Sequence, residues 1–225
     1  MRKTLIALLS LVCVGAAVAG TACANKGGKP LAAPVNGGFE SADLSGWTVE
    51  YGNAFDNDCV MSDKTFTYEN DANHNQLSVN ATGNWYLSGK GFHGRYSGAR
   101  TGAIRSTEFV LPKDGTVSMK LAGGALTLGK SETAALKRKE KLCYVGIYRA
   151  SDDKLLAQQT NEYFIEHKED YVNPDKYAAG VYSTDNFNEY TLDLSEYAGE
   201  KVYIRIVDND DSYYYGYFAV DDIRI

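Results

Sequence analysis

The sequence lacks the short motifs that mark many hydrolases and redox enzymes. It contains no G-x-S-x-G elbow, no H-E-x-x-H zinc motif and no C-x-x-C pair. Its three histidines, His74, His93 and His167, are far apart in predicted loops, so we interpret them as solvent-exposed residues. The acidic segments 56–58 and 152–153 are polar turns without the apolar surroundings that raise a catalytic carboxyl pKa. We therefore expect that the protein is not an enzyme.

Basic charge is scarce as well. The sequence has 23 Lys and Arg against 29 Asp and Glu, which gives a formal net charge of −6. A surface of this sign does not suit DNA, RNA or anionic lipid, all of which attract basic patches. We expect no nucleic-acid partner, and neutral ligands or metal cations instead.

Proline is also rare, with 4 residues, whereas the chain has 17 tyrosines and 22 glycines. Abundant aromatic residues and glycine, with few long helical patterns, favour an all-β sandwich or barrel. A chain of 225 residues, 44% of them hydrophobic, can bury one good core. We find no internal repeat, so the sequence predicts a single domain.

Residues 1–24 have the pattern of an export signal. Arg2 and Lys3 precede an apolar run over residues 5–18, which is too short to span a bilayer comfortably. Two cleavage sites fit: the small-x-small pattern of residues 17–19, and a lipobox-like pattern ending at Cys23, which is a lipidation candidate. Both predict an exported or cell-surface protein that contacts the membrane only through a lipid anchor. Residues 25–35 read as a flexible tether and residues 36–225 as the domain.

Two cysteines belong to the predicted domain. Export permits a disulfide between Cys59 and Cys143. However, Cys143 shares a predicted strand face with Val145 and Ile147. We therefore favour a small buried hydrophobic residue over a disulfide partner.

Strands are predicted by alternating or short apolar runs bounded by turns. The predicted strands are residues 104–111, 116–121, 142–150, 155–159, 189–194, 201–207 and 213–225. Residues 112–115 read as the turn of a hairpin. Residues 131–141 are the one helix candidate, with a charged loop as the alternative, and residues 161–188 read as an insertion with little regular structure.

The last predicted strand contains two carboxylates, Asp221 and Asp222, within an apolar run where an unpaired charge is costly. Glu40, at the other end of the domain, follows a Gly-Gly-Phe turn that exposes backbone carbonyls. Calcium prefers such mixtures of carboxylate and carbonyl oxygens. We therefore predict a structural calcium ion held by Glu40 and Asp221. In the alternative, Glu40 caps a turn and Asp222 pairs with Arg224.

Residues 83–100 combine aromatic rings, arginines and five glycines, and residues 213–217 hold four more tyrosines. Sugars lie with flat C–H faces on aromatic rings, while polar groups fix their hydroxyls. The alternative is a core position for these rings, and for Arg105 a structural ion pair. The predicted ligand-binding residues are Trp85, Tyr86, Arg95, Tyr96, Arg105 and Tyr214.

Several segments, in order, resemble one known family. The resemblance rests on residues 36–40 (NGGFE), 43–47 (DLSGW), 102–106 (GAIRS), 121–124 (LAGG), 143–145 (CYV), 193–195 (DLS), 201–209 (KVYIRIVDN) and 220–223 (VDDI). They are similar to galactose-binding-like carbohydrate-binding modules, and in particular to the non-catalytic domain that precedes the propeller of glycoside hydrolase family 32 levanases and sucrose-phosphate hydrolases. The resemblance implies a jelly-roll β-sandwich with its first and last strands close together, a structural calcium near the chain ends and a fructan-like ligand.

Three functions follow as hypotheses. The leading one is an exported, non-catalytic carbohydrate-binding domain with a structural calcium ion. The second is a glycoside hydrolase or an accessory fragment of a family 32-type enzyme. The third is a surface adhesion lipoprotein that binds a protein partner.

Overall fold

The fold is that of a computed structural model, which describes residues 29–62, 65–66, 77–78, 80–89, 100–127, 143–162, 181–209 and 218–225. The predicted signal segment with Cys23, the helix candidate at 131–141, and the ligand candidates Arg95, Tyr96 and Tyr214 lie outside these residues. Within the described part, no helix is long and apolar enough to cross a membrane.

The described residues form thirteen strands and two short 3-10 turns, Asn57–Cys59 and Ser195–Tyr197. The strands are, in chain order, β1 (Trp47–Gly52), β2 (Val60–Met61), β3 (Thr65–Phe66), β4 (Leu77–Ser78), β5 (Tyr86–Ser88), β6 (Gly102–Ser106), β7 (Phe109–Val110), β8 (Thr116–Thr127), β9 (Cys143–Arg149), β10 (Leu155–Gln159), β11 (Val181–Asp193), β12 (Lys201–Asp208) and β13 (Phe218–Arg224).

Two antiparallel sheets make up the domain. Sheet A has the order β1-β6-β12-β9-β10, with β7 also paired to β12, and sheet B has the order β11-β8-β13-β5-β2. Strands β3 and β4 form a separate two-stranded ribbon. Along the chain the path crosses repeatedly between sheets A and B, which is the connectivity of a jelly roll. The predicted all-β sandwich of jelly-roll, galactose-binding-like type is confirmed.

The core fills the space between the sheets. In β12, Val202, Ile204 and Ile206 are fully buried and share one cluster with Leu121 of β8 and Val220 of β13. Alternate residues of β12 point to the other side of sheet A, as the period of two in a strand requires. The alternation in this strand was readable from the sequence.

Cys59 and Cys143 form no disulfide and both are buried, as predicted. The Cys59 thiol donates to the carbonyl of Ala54 at 3.2 Å, and burial raises the pKa of the Cys59 thiol to about 12. The Cys143 thiol donates to Asp208 Oδ1 at 3.2 Å. Each cysteine therefore acts as a small core residue with a weak hydrogen bond.

Two predictions about connections were wrong. Residues 112–115 do not form a hairpin, because β7 belongs to sheet A and β8 to sheet B. Strand β11 begins at Val181, so part of the predicted irregular insertion is a regular edge strand. The first and last strands lie in different sheets, since β1 pairs with β6 whereas β13 pairs with β5 and β8.

Candidate functional site

The two ends of the domain meet through a turn rather than through paired strands. The carbonyl of Gly37 accepts a hydrogen bond from Ile223 N at 3.1 Å. A Cβ on Gly37 would lie only 2.7 Å from the Ile223 carbonyl oxygen, so this approach requires glycine. We call residues 36–43, 80–85 and 221–224 together the closure site.

Glu40 and Asp221 hold the same loop of the closure site. Glu40 Oε1 accepts hydrogen bonds from Asn84 N at 2.9 Å and from Trp85 N at 3.0 Å. Asp221 Oδ2 accepts a hydrogen bond from Thr82 N at 2.7 Å. Both predicted acids therefore bond the backbone of one loop, and the calcium ion between them stays a prediction.

Asp221 is fully buried, and its second oxygen accepts the N–H of Asp222 at 2.7 Å. Burial raises the pKa of Asp221 to about 6, and the nearby Asp222 charge adds to this, whereas the Thr82 and Asp222 N–H donors and Lys120 lower it. The ionised form of Asp221 is thus only partly compensated by the described residues.

The closure site also contains the ion pair between Asp222 and Arg224, which the sequence offered as part of the alternative to calcium. Asp222 Oδ2 lies 3.4 Å from Arg224 Nε and accepts the hydroxyl of Thr82 at 3.1 Å. Among the described residues, no group of three or more His, Cys, Asp or Glu side chains is arranged to hold a metal ion. A cation between Glu40 and Asp221 would therefore need backbone carbonyls as further ligands.

Backbone strain is concentrated in the closure site. Of the six described non-glycine residues with positive φ, five lie there: Asn36, Phe39, Ala42, Asn80 and Asp222, with φ between 51° and 64°. Such conformations cost about 1–3 kcal/mol each. Asn and Asp tolerate them better than Phe and Ala do, so Phe39 and Ala42 are the costly positions.

Trp85 and Tyr86 follow directly on this loop. Trp85 is half-buried and packs against the main core, so only part of its ring is open to solvent. Tyr86 is fully buried, and its ring meets Phe187 edge-on with centroids 5.4 Å apart. The prediction that Tyr86 stacks on a ligand is therefore corrected: alternation along β5 places Leu87 in the main core, and Phe187 covers the Tyr86 ring on the other side of the strand.

A second region with candidate binding residues is the side of sheet A that faces away from the core, which we call the outer face. Its central residues are Tyr203 and Arg205 of β12, Tyr148 of β9 and Arg105 of β6. The rings of Tyr148 and Tyr203 stack with centroids 5.4 Å apart and planes 7° apart. Arg105 Cζ lies 3.6 Å from the Tyr203 ring centroid, and Arg205 Cζ lies 4.4 Å from that of Tyr148. Rings and guanidinium groups thus form one packed layer.

Every arginine of this layer has an acidic partner. Arg205 donates through two nitrogens to Glu50, and its Nη2 lies 3.7 Å from Asp153 Oδ2. Arg105 donates to Glu108 at 3.1 Å. The hydrogen bond that Arg205 donates to Glu50 raises the pKa of Arg205 further, so this guanidinium stays charged. Arg105 therefore makes the structural ion pair that the sequence left as one of its two roles.

A β-bulge aims two side chains of β1 at the outer face. Val49 pairs with Ile104 and Tyr51 pairs with Ala103, so Glu50 is the extra residue. Glu50 reaches Arg205, while the hydroxyl of Tyr51 donates to Asn209 Oδ1 at 3.0 Å. Tyr51 is 47% exposed and is the most open ring of this face.

Gly146 allows the rings of Tyr144 and Tyr148 on the outer face to lie close to the sheet. A Cβ there would lie 2.6 Å from Tyr148 Cε2 and 3.2 Å from Tyr144 Cε2. Because the side chain is missing, both rings lie close to the sheet, with their hydroxyls 3.2 Å apart. Burial, followed by the hydrogen bond to Tyr148, raises the pKa of Tyr144. Sequence reasoning missed Tyr144 and Tyr148, although both alternate with core residues of β9.

A cavity among the described residues is a poorer candidate for a sugar site than the outer face is. It has a volume of about 450 Å³ and is lined by Glu108, Arg149, Ala150, Ser151, Glu200 and Lys201. Its charges already form pairs, Arg149 with Glu200 and Lys201 with Glu108. It offers no aromatic ring in its lining, so it does not resemble a sugar site.

One motif match in the sequence is incidental. Residues 124–131 read GALTLGKS, the pattern of a phosphate-binding P-loop. That loop follows a strand of a parallel sheet and opens a helix. Here residues 124–127 continue the antiparallel strand β8, paired with β11. Because β8 is a strand of an antiparallel sheet, the match does not predict a nucleotide site.

No protein-family model matches this chain, and no curated protein does. The solved structures that are similar to it include the following three. A cyclase from Fischerella sp. TAU has 16% identity and a TM-score of 0.40, over 86% of this chain and 94% of that one. Caldicellulosiruptor saccharolyticus CBM27-1, solved with mannohexaose, has 12% identity and a TM-score of 0.40, over 86% and 96%. TmCBM61, solved with β-1,4-galactotriose, has 13% identity and a TM-score of 0.37, over 87% and 97%.

Two of these three structures are carbohydrate-binding modules. Identities and TM-scores at this level carry no argument about the function or ligand of this chain. The similarity to the family 32 domain stays a prediction.

Proposed function

We propose that the protein is an exported, non-catalytic carbohydrate-binding domain whose glycan lies on the outer face of sheet A. The observation that carries the proposal is the packed layer of tyrosines and ion-paired arginines on that face. Tyr51 and Tyr144 reach solvent at its edges, whereas Tyr148 and Tyr203 are buried within it. The buried rings hold the layer in place, and the outer rings contact the sugar.

Sugar binding needs little more than such a surface. The C–H face of a pyranose or furanose ring packs on a tyrosine ring, and guanidinium or carboxylate groups bond its hydroxyls. Ion pairs to Glu50 and Asp153 fix the position of Arg205 before the ligand arrives, which reduces the entropy lost on binding.

Arg95, Tyr96 and Tyr214 remain proposed ligand residues on the same grounds. Gly89 and Phe218, which flank the segments 90–99 and 210–217, are joined by a hydrogen bond of 3.0 Å from Gly89 N to the Phe218 carbonyl. At this end of sheet A, Asp208 pairs with Gly102, one position beyond the pair of Ala103 with Val207. Tyr51 and Tyr144 pair with these latter two residues, and the hydroxyl of Tyr51 donates to Asn209, the last described residue before residues 210–217.

A glycan array followed by calorimetric titration tests the proposal. Tyr51→Ala and Tyr144→Ala are each expected to weaken glycan binding about tenfold, which corresponds to roughly 1.4 kcal/mol. Tyr197→Ala removes a half-buried ring outside the outer face and is the matched control. The proposal would be refuted if the wild type bound no glycan on the array. It would also be refuted if all three variants lost glycan affinity equally.

The non-catalytic role is proposed because the one acid of the closure site with a raised pKa is not accessible. Asp221 is fully buried, and both its oxygens accept backbone N–H groups. A general acid must instead reach the glycosidic oxygen of a substrate. A reducing-sugar assay on every glycan that binds tests this. Turnover lost on changing a carboxylate would favour the hydrolase hypothesis.

We also propose that a structural calcium ion is held by Glu40 and Asp221 with backbone carbonyls of the 36–43 turn. The donor chemistry fits, because Glu40 Oε2 and both oxygens of Asp221 each accept one N–H and keep a lone pair. The partly compensated charge of Asp221 and the strained backbone of Phe39 and Ala42 support the proposal. Bound calcium would neutralise the acids and stabilise the strained turn.

Chelation tests the calcium ion. If calcium binds only the folded state, a hundredfold excess over Kd stabilises it by about 2.7 kcal/mol. The melting temperature should therefore fall in EDTA and recover with calcium. Asp221→Asn and Glu40→Gln should lose this response, while Glu196→Gln, an exposed acid elsewhere, keeps it. A wild-type melting curve that calcium and chelator leave unchanged would refute the site.

Export rests on residues 1–24 and stays a proposal. Expression in a bacterium with radiolabelled fatty acid distinguishes the two cleavage sites. Label that is lost in Cys23→Ala identifies lipidation, whereas unlabelled protein in the medium identifies ordinary signal peptidase cleavage. Protein retained in the cytoplasm would contradict both.

A further inference from the structure

The charges of the outer face cancel one another within hydrogen-bond range. Arg205 pairs with Glu50 and Asp153, and Arg105 pairs with Glu108. Lys201 also pairs with Glu108. Three cations thus stand beside three carboxylates on this face. A ligand carboxylate or sulfate would find each of these three described cations already occupied.

The central pair is partly withdrawn from water. The side chains of Arg205 and Glu50 are 20% and 21% exposed, and two nitrogens of the guanidinium donate to the two carboxylate oxygens. Such two-point pairs are among the strongest hydrogen-bonded contacts of proteins, and their geometry is fixed. An anionic ligand would have to displace Glu50 or lie beside it, and either arrangement is unfavourable.

The β-bulge in β1 places Tyr51 on the same side of the sheet as Glu50. In a regular strand, Glu50 and Tyr51 would point to opposite sides of the sheet. Val49 pairs with the buried Ile104, so Glu50 faces outward by alternation, and the register shift between Val49 and Tyr51 brings Tyr51 to the outer face as well. The open ring therefore lies directly beside the carboxylate that occupies Arg205.

We propose that Glu50 is a specificity-determining residue: by occupying Arg205 it restricts the outer face to uncharged glycans and rejects glycans that carry carboxylates. The inference rests on the proposed carbohydrate-binding function and adds the class of ligand and the residue that selects it. The hydroxyls of an uncharged sugar hydrogen-bond to the outer edges of Arg205 and Glu50 without breaking this ion pair. A uronate or sulfate requires an unoccupied cation.

Glu50→Gln tests the inference, because glutamine keeps the shape of the side chain and removes its charge. Glu189→Gln is the matched control: it has the same change in net charge and releases Arg224, which lies in sheet B. The probes are pairs of glycans, each neutral oligosaccharide beside its counterpart oxidised to a carboxylate at C6. Calorimetric titrations are made below the melting temperature of each variant.

The wild type should bind neutral members and bind their oxidised counterparts at least about tenfold more weakly. Glu50→Gln should bind the oxidised glycans about tenfold more tightly than the wild type does, and its affinity for the neutral glycans should change little. Glu189→Gln should change neither affinity. Should Glu50→Gln fold poorly, Glu108→Gln releases Arg105 on the same face and should shift the ratio in the same direction.

The outcomes test the role of Glu50 and the carbohydrate-binding function separately. Preferential binding of oxidised glycans by the wild type, or equal gains in Glu50→Gln and Glu189→Gln, overturns the role of Glu50 and leaves the carbohydrate-binding function intact. Binding of no glycan by the wild type overturns the function itself.

Discussion

The closure site and the outer face both use carboxylates, but for different ends. In the closure site, Asp221 is fully buried and its oxygens accept backbone N–H groups. On the outer face, Glu50 pairs with an arginine side chain that still reaches water. A buried acid that holds backbone fixes the fold, because its loss leaves donors unsatisfied. An acid at the surface that holds an arginine arranges a binding surface instead.

This comparison predicts that damage to the closure site lowers stability and damage to the outer face lowers binding. The largest effect is expected for Gly37→Ala. Its Cβ would lie 2.7 Å from the Ile223 carbonyl oxygen, and backbone must move to relieve this contact. We expect the free energy of unfolding to fall by about 3 kcal/mol in urea titrations.

The neighbouring glycine provides the control for this variant. A Cβ on Gly38 would meet no atom closer than Glu40 Cγ at 3.9 Å. Gly38→Ala should therefore change the free energy of unfolding by less than about 1 kcal/mol. Similar losses in the two variants would contradict the described contact between the turn and β13.

The second prediction concerns pH, and its sign depends on calcium. In metal-free protein, burial raises the pKa of Asp221 to about 6 in the folded state, above the ordinary value of 3.8 for an aspartate carboxyl. Between these values the folded state binds more protons, so stability rises as pH falls from 7 towards 4 and is lost again as pH rises through 6. The full shift corresponds to about 3 kcal/mol.

With calcium bound, the direction should reverse. The ion keeps Asp221 ionised, and protons compete with it, so acidification lowers stability over the same interval. Urea titrations at pH 7, 6 and 5, in EDTA and in calcium, measure both slopes. Asp221→Asn should remove the difference between them. Identical slopes with and without calcium in the wild type would show that no ion reaches Asp221.

The third prediction tests the outer face through Gly146→Ala. The new Cβ would lie 2.6 Å from Tyr148 Cε2 and 3.2 Å from Leu155 Cδ1, so these side chains must shift. Overpacking of this kind costs about 1–3 kcal/mol. Because the tyrosines move off the sheet, glycan affinity per folded molecule should also fall. Gly38→Ala again serves as control, and unchanged affinity in Gly146→Ala would place the ligand elsewhere.

The smallest effect is expected for Tyr144→Phe. It removes the hydrogen bond between the Tyr144 and Tyr148 hydroxyls, worth about 0.5–1.5 kcal/mol. Its ring and the apolar surface are kept, so glycan affinity should change little. Ultraviolet titration should lose one tyrosine whose pKa is raised above the usual range. Loss of a tyrosine with an ordinary pKa would contradict the buried position of this hydroxyl.

The strands were predictable where one face of a sheet is buried. In β12 and β9, apolar residues alternate with tyrosine, arginine and glycine, so both the strand and its core face follow from the sequence. The pairing of strands did not follow, because the period of two is the same for every partner. This is why the hairpin expected at residues 112–115 is instead a crossing between sheets.

The sites were predictable to different degrees for the same reason. Glu40 and Asp221 stood out because an acid in an apolar run needs a partner, and the structure brings both to one loop. The outer face was missed because it depends on register: Tyr203 meets Tyr148 only through the pairing of β12 with β9. The bulge that aims Glu50 and Tyr51 has no signature in the sequence of β1.

One measurement tests the division between a binding face and a structural closure site most directly. It is the calorimetric titration of one bound glycan into the wild type, the double variant Tyr51→Ala/Tyr144→Ala and Asp221→Asn, with the melting temperature of each. The double variant should lose affinity more than about tenfold and melt closer to the wild type than Asp221→Asn does, while Asp221→Asn binds within about threefold of the wild type. The reverse pattern, with affinity lost in Asp221→Asn and kept in the double variant, would contradict the account.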